Sequence, residues 1–412
     1  MRRRFLDYRR HDGGTAMKSV TLEPIRHLEM WKKPPKWNRG FAEEAASFVL
    51  AKIDANLQTF TEKFPSASSV GLVYRPEGNE GWTTGFWTGM LWLAYELTGD
   101  GKYRRTAEIQ LEDFRERAFR RLGTDTHDLG FLYTLSCVAA VRLTGNEEAR
   151  RTALEAADLL MERYFDKAGI IQAWGDLNDP AERGRMIVDC CMNLPLLYWA
   201  SEKTGNGAYA QAAARHAERS AACLVREDAS TYHTFYMDVD SGAPKYGQTH
   251  QGYADDSCWA RGQAWAIYGF PLSYRYTGDR PLLELTRRLA HYFLNRLPDD
   301  RVAYWDLIFT DGPQERDSSA SAIAACGLLE LAGHLEAAGD ESGELYRNAA
   351  LHTMQSLSEH YTTKGDSFAG GILKHAVYNK PRGMGIDECC IWGDYFYLEA
   401  IVRTLKDWRP YW

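Results

Sequence analysis

No stretch of the chain is apolar for the ~20 residues that a membrane-spanning helix needs, because charged and polar residues interrupt every hydrophobic run. The HExxH, P-loop and GxSxG signatures are all missing, which sets aside the zinc-protease, phosphate-loop and nucleophile-elbow chemistries. Eight cysteines are present, but none forms a CxxC pair, and Cys190-Cys191 and Cys389-Cys390 are direct neighbours. That pattern fits neither a structural zinc nor an extracellular disulfide framework, and it reads as reduced thiols of a cytoplasmic protein. No Pro/Ser-rich linker or low-complexity tract divides the chain. A formal charge of −7 argues against nucleic-acid or membrane-surface partners, while leaving room for one local cationic pocket. The start, Met1-Arg2-Arg3-Arg4-Phe5-Leu6, has the arginines of an export signal, yet Asp7-Tyr8-Arg9-Arg10-His11-Asp12 stands where such a signal needs an apolar stretch. Residues 1–36 are expected to form a partly disordered extension, with Met17 as an alternative start, and residues 37–412 a single domain.

What the chain does have is a repeat. Six times an aromatic- or carboxylate-rich motif runs into a helical apolar stretch: at Trp82–Trp87, His127–Phe131, Arg185–Asp189, Asp256–Arg261, Arg316–Ser319 and Ile391–Asp394. Five of these stretches end in related turns carrying Gly99-Asp100, Gly145-Asn146, Gly205-Asn206, Gly278-Asp279 and Gly339-Asp340. Glycine suits the left-handed residue that closes a helix, and the Asp or Asn after it can cap the next one. The turns recur every roughly 45 to 75 residues, so the chain reads as one architecture of helical hairpins. Amphipathic outer helices are predicted near 41–62, 102–120, 147–164, 207–224, 280–296 and 343–361. Inner helices, apolar on most faces, are predicted near 86–97, 128–143, 186–203, 259–276, 317–337 and 391–406. Twelve alternating helices closing on themselves make an all-α (α/α)6 barrel, with its active site at the mouth formed by the N-terminal ends of the inner helices. An open α-solenoid is the alternative. Tyr232–Asp238 and Val302–Asp306 break the helical period and read as short strands or extended loops.

Asp128 and Asp189 open successive inner helices, where side chains project toward the mouth. Two carboxylates in one pocket are the usual apparatus for acid–base chemistry on a sugar; simple helix capping is the competing explanation. Asp189 lies within the apolar run Met186-Ile187-Val188-Asp189-Cys190-Cys191-Met192, and burial there would let it hold a proton at neutral pH. Seven of the thirteen tryptophans, Trp82, Trp87, Trp174, Trp259, Trp265, Trp305 and Trp392, fall in or beside the mouth motifs. Indoles stack on the C–H faces of sugar rings, so the set points to carbohydrate although any one of them could be core. Arg261 and Trp265 share a helix face, and an arginine in a pocket suits a substrate carboxylate; an internal salt bridge to Asp255 or Asp256 is the competing role. His233 and His250 could be ligands, bases or core histidines.

These motifs resemble those of the unsaturated glucuronyl hydrolases, glycoside hydrolase family 88. The likeness covers HDLGFLY at His127–Tyr133, IIQAWG at Ile170–Gly175 and MIVDC-x-x-NLPLL at Met186–Leu197. It continues through YHTFY at Tyr232–Tyr236, THQG-x-x-D-x-S-x-W-x-RGQAW at Thr249–Trp265, RDSSASA at Arg316–Ala322 and IWGDY at Ile391–Tyr395. It runs from about residue 40 onward. The resemblance implies release of a Δ4,5-unsaturated uronic acid from oligosaccharides left by polysaccharide lyases, through hydration of the C4=C5 enol ether. It implies Asp189 as general acid/base and Asp128 as the second essential carboxylate. His127, Trp82, Trp174, His233, Gln251, Arg261 and Trp265 then match substrate-binding positions, and no metal or organic cofactor is needed. Relatives accepting sulfated sugars share a Ser-and-Lys patch in a late loop. The corresponding Leu373–Arg382 keeps basic residues but lacks the serines, so the resemblance does not carry sulfate tolerance to this chain. A rhamnogalacturonyl hydrolase would share barrel and chemistry. A sugar 2-epimerase would need paired histidines in place of paired aspartates, and a non-catalytic binding protein would not need a carboxylate in an apolar run.

Overall fold

The computed structural model describes residues 19–412. The arginine-rich start and Met17 lie outside the described residues. Residues 19–36, expected within a partly disordered extension, lie along the outer surface. A short helix α1 (Leu28–Lys32) buries Trp31, and Glu23 pairs with Arg296 at 3.0 Å.

The alternation of helices follows the predicted order. Outer helices are α2 (Arg39–Asn56), α4 (Gly101–Phe119), α7 (Glu147–Met161), α9 (Gly207–Cys223), α11 (Arg280–Leu294) and α13 (Ser342–His360); inner ones are α3 (Thr84–Thr98), α5 and α6 (Leu129–Tyr133 and Ala139–Thr144), α8 (Leu194–Thr204), α10 (Ala260–Thr277), α12 (Ser318–Ala337) and α14 (Ile391–Leu405). Gly99, Gly145, Gly205 and Gly278 close their helices in the left-handed conformation. The side chains of Asp100, Asn146 and Asn206 cap the helices that follow. Each inner segment touches the one before and the one after it, and α14 returns to α3. Glycines allow close approaches between neighbouring inner segments. A Cβ on Gly130 would stand 2.3 Å from the Asn193 Cα, and one on Gly327 would stand 2.8 Å from the Ile267 carbonyl oxygen. Buried apolar side chains fill the space within and around this set.

Three local departures from the predicted helices matter for the site. The second inner helix is not continuous: Thr134–Val138 forms a π-type turn between α5 and α6. The third begins late. Arg185–Ile187 is a strand paired with Thr234–Met237, which pairs in turn with Pro244–Gln248, and Val188–Met192 is a 3-10 turn. Extended Met186-Ile187 suits that sheet, and Pro195 is tolerated only in the first turn of a helix. The first outer helix stops at Asn56 instead of reaching 62. Val302–Asp306 is a loop carrying isolated bridges, not a strand. A hairpin of Ala376–Asn379 with Met384–Glu388 was not foreseen.

Candidate active site

Asp128 and Asp189 line one cavity of about 460 Å³, together with Trp82, His127, Trp174, His250, Gln251, Arg261, Tyr378, Asn379, Arg382 and Met384. Asp128 occupies the cap position of α5 without making a capping bond. Instead the Thr126 hydroxyl accepts the Asp128 N–H at 3.2 Å and donates to Asp128 Oδ2 at 2.8 Å. The other oxygen faces His127 Nε2 at 3.3 Å. Thr126 therefore turns the carboxylate away from the helix end and toward its neighbours.

Asp189 sits in the 3-10 turn, because the strand pairing of residues 185–187 carries the chain straight into the pocket wall. Its Oδ1 is buried and has no hydrogen-bond partner. Burial pushes its carboxyl up to about 7, against the opposing pull of His127 and with the added repulsion of Asp128. Near neutrality, then, one carboxyl can carry a proton beside another carboxylate, the pairing that separates acid from base roles.

Aromatic rings and cations wall the rest. The Trp82 ring lies 5.0 Å from Trp392 at 30°, and its N–H donates to the Tyr378 hydroxyl at 3.1 Å. Trp174 is braced by Arg185, whose guanidinium lies 4.8 Å from the ring and donates to the Trp174 carbonyl at 3.2 Å. Arg261 is buried between Trp259 (4.3 Å) and Trp392 (4.9 Å). Its terminal nitrogens donate to Gln251 Oε1 at 2.7 Å, to the Val377 and Tyr378 carbonyls at 2.6 and 2.7 Å, and to Asp317 at 3.3 Å. The internal partner is thus Asp317, and neither Asp255 nor Asp256.

Seven of the nine residues singled out in the sequence line the cavity; His233 and Trp265 stand behind it. His233 Nδ1 accepts the His250 N–H at 2.9 Å, which puts the proton on a buried, unpartnered Nε2, and burial holds the ring neutral. Trp265 is fully buried, 5.1 Å from Phe131 and 5.4 Å from Phe396. Of the other mouth tryptophans, Trp259 and Trp392 sandwich Arg261, while Trp87 and Trp305 are core. The hairpin 376–388 supplies Tyr378, Asn379, Arg382 and Met384, which composition alone did not mark; Pro381 and Gly383 at its tip were the available turn signal. Among the described residues no cluster of three His, Cys, Asp or Glu is arranged to hold a metal ion.

Two carboxyls in a pocket walled by indoles, one of them raised to about 7 by burial, fit a saccharide-processing hydrolase. Residues 53–404 match the family described as Glycosyl Hydrolase Family 88. The chain belongs to that family. It is similar to an unsaturated chondroitin disaccharide hydrolase of Streptococcus pneumoniae, 46% identical over 397 residues that cover 96% of this chain and 100% of the relative. The crystal structure of the unsaturated glucuronyl hydrolase of Streptococcus agalactiae superposes with a TM-score of 0.93 at 44% identity, covering 97% of this chain and 100% of that one. A third relative, solved with dGlcA-Glc-Rha-Glc, has a TM-score of 0.85 at 46% identity, over 88% of this chain and 96% of that one.

Proposed function

We propose that this glycoside hydrolase releases the Δ4,5-unsaturated uronic acid from the non-reducing end of glycosaminoglycan-type oligosaccharides. The site is read as one mouth of a closed (α/α)6 barrel, built by residues 37–412 as a single catalytic domain and strapped on the outside by residues 19–36. The observation that carries the reading is Asp189, a buried carboxyl raised to about 7 beside a second acid. The C4=C5 bond of the substrate is an enol ether, so it accepts a proton at C4. Asp189 donates that proton, and positive charge develops at C5 and the ring oxygen. The resulting carboxylate takes a proton from water as its oxygen bonds to C5. The hemiketal so formed opens by breaking the C5–ring oxygen bond, leaving a C5 ketone and a C1 hemiacetal. The hemiacetal collapses to an aldehyde and expels the remaining sugar as an alcohol.

Asp128, held by Thr126, keeps negative charge beside the acid and favours its protonated form. Trp82 and Trp174 stack on the sugars while His127 and Gln251 bond their hydroxyl or carboxylate oxygens. Arg261 acts as a positioning residue, since its terminal nitrogens are engaged within the protein. It presents Gln251 and Tyr378 to the substrate, and Arg382, at the cavity edge, supplies the positive field for an anionic sugar. Eight free, buried cysteines fit a reducing compartment, and the cytoplasm is proposed as the site of action. The test follows the ultraviolet absorbance of unsaturated chondroitin, hyaluronan, heparin and pectin disaccharides. Loss of the conjugated C=C–COO⁻ band with a glycosaminoglycan substrate is expected. A response to the pectin disaccharide alone would move the enzyme to galacturonyl-rhamnose substrates, and no response to any would refute the reading.

A further inference from the structure

The loop that brings Gln251 to the pocket is held by a buried carboxylate with no part in the chemistry. Asp306 is fully buried. It accepts the Tyr253 N–H at 2.9 Å, the Ser257 hydroxyl at 2.7 Å, the Cys258 N–H at 3.2 Å and the Ile308 N–H at 3.1 Å. One side chain thereby locks loop 249–258 to loop 304–309. Burying a carboxylate is costly unless it is fully bonded, and here every bond goes to fixing those two loops.

The locked loops show Tyr253 and Ile308 to solvent, beside the exposed Asp255 and Asp256. Tyr253 is 61% exposed and Ile308 is 53% exposed, and the Tyr253 ring sits 5.1 Å from Phe309 and 6.3 Å from Trp305. Side chains held rigid in this way lower the entropy cost of engaging a ligand. The chain ties this cluster to the pocket wall on two sides. Gln251 lines the cavity, and two residues of chain place the Tyr253 Cα within about 7 Å of the Gln251 Cα. On the other side, Lys380 of the pocket hairpin pairs with Glu315, whose carbonyl accepts the Trp305 N–H at 3.1 Å.

We propose that Tyr253, Ile308 and Phe309 form an outer sugar-binding platform, which stacks a more distant pyranose ring of a longer oligosaccharide while its unsaturated end occupies the pocket. The platform rests on the function proposed above and adds a site for sugars beyond the first two. Aromatic faces suit the C–H side of any pyranose, so the platform selects for chain length and not for a particular sugar.

The experiment compares kcat/KM on an unsaturated disaccharide and on the unsaturated tetrasaccharide of the same glycosaminoglycan, for the wild type, Tyr253→Ala, Tyr253→Phe and Ile308→Ser. Tyr253→Ala is expected to leave disaccharide turnover unchanged and to lower tetrasaccharide kcat/KM by about two- to tenfold, through KM, the range that one lost ring contact allows. Tyr253→Phe, which keeps the ring, should restore it. Ile308→Ser gives the same selective loss, more weakly, and keeps the test intact should Tyr253→Ala fold poorly. Equal effects of the substitutions on the two substrates would overturn the platform. Absence of wild-type turnover on both substrates would instead overturn the function beneath it.

Discussion

Asp189 is proposed as the acid because burial outweighs the pull of His127 and Arg261 on its charge. Asp394, also raised to about 7 by burial, makes an informative contrast: it accepts bonds from the Tyr74 hydroxyl and the Ile372 and Leu373 N–H groups, so it serves as a structural tie. Asp189 Oδ1 has no such partner. Asp189→Asn is expected to lower kcat by at least about 10²-fold while preserving the fold, since the amide cannot give an acidic proton; residual activity above about a tenth of wild type would refute the assignment. The same substitution should change stability with a definite sign. The folded pKa of about 7 lies above the ordinary value of 3.8, so the group's contribution is full below the unfolded pKa and is lost as pH rises from there through the folded one. Thermal melts of Asp189→Asn should therefore gain on the wild type between about pH 4 and pH 7. Activity follows the same proton: kcat/KM should fall as pH rises through about 7. Asp128→Asn removes the repulsion that helps hold the proton, so that falling limb should move to lower pH, and an unmoved limb would reduce Asp128 to a helix terminus. Thr126→Ala should lower kcat and Thr126→Ser restore it. The sequence marked Asp189 through its apolar neighbours, but it left Asp128 divided between capping and catalysis. The Thr126 bond, which takes the carboxylate out of a capping role, depends on backbone torsions that residue type alone does not reveal.

At the scale of elements, Arg261 on α10 joins three pieces of the wall: Gln251 in the 249–258 loop, the strand 376–379, and Asp317 at the start of α12. Removing the arginine leaves Asp317 buried and unpaired. Arg261→Ala is expected to cost about 3–5 kcal/mol of stability and to raise KM by loosening Gln251 and Tyr378. Arg261→Lys, with the charge kept but the planar fork lost, should fall between that variant and the wild type. Unfolding in urea together with kcat and KM checks both parts; a KM change without a stability change would return Arg261 to direct substrate binding. The twelve helices were legible because their turns repeat a glycine and a cap and their faces keep a helical period. The hairpin 376–388 was not, since its strands are short and the neighbouring His375 and Asp387 adopt positive φ of 63° and 61°, conformations that side-chain type does not announce. The 3-10 turn under Asp189 was missed for a related reason: strand pairing with a segment almost fifty residues away overrode a locally helical apolar run.

For the molecule as a whole, the tail 406–412 packs against the inner helices. Trp412 stacks on Phe396 at 6.0 Å and 10°, meets Phe131 at 6.1 Å and donates to Glu399 at 2.8 Å. Phe131 lies 5.5 Å from Trp82, so a column of rings crosses the molecule from the tail to the pocket. Trp412→Ala is expected to destabilise the protein by about 3–5 kcal/mol, as loss of a fully buried large aromatic does, measured by urea unfolding; a change well under 1 kcal/mol would show that the column closes without it. In the proposed chemistry this assembly hydrates a double bond before any sugar is expelled. Its most direct test is a single-turnover experiment that follows the conjugated absorbance of an unsaturated disaccharide and the release of its reducing-end sugar in the same sample. Hydration by Asp189 predicts that absorbance loss precedes or accompanies release, and that Asp189→Asn abolishes both signals together. Sugar released while the chromophore persists would mean direct cleavage of the glycosidic bond, and would contradict the account.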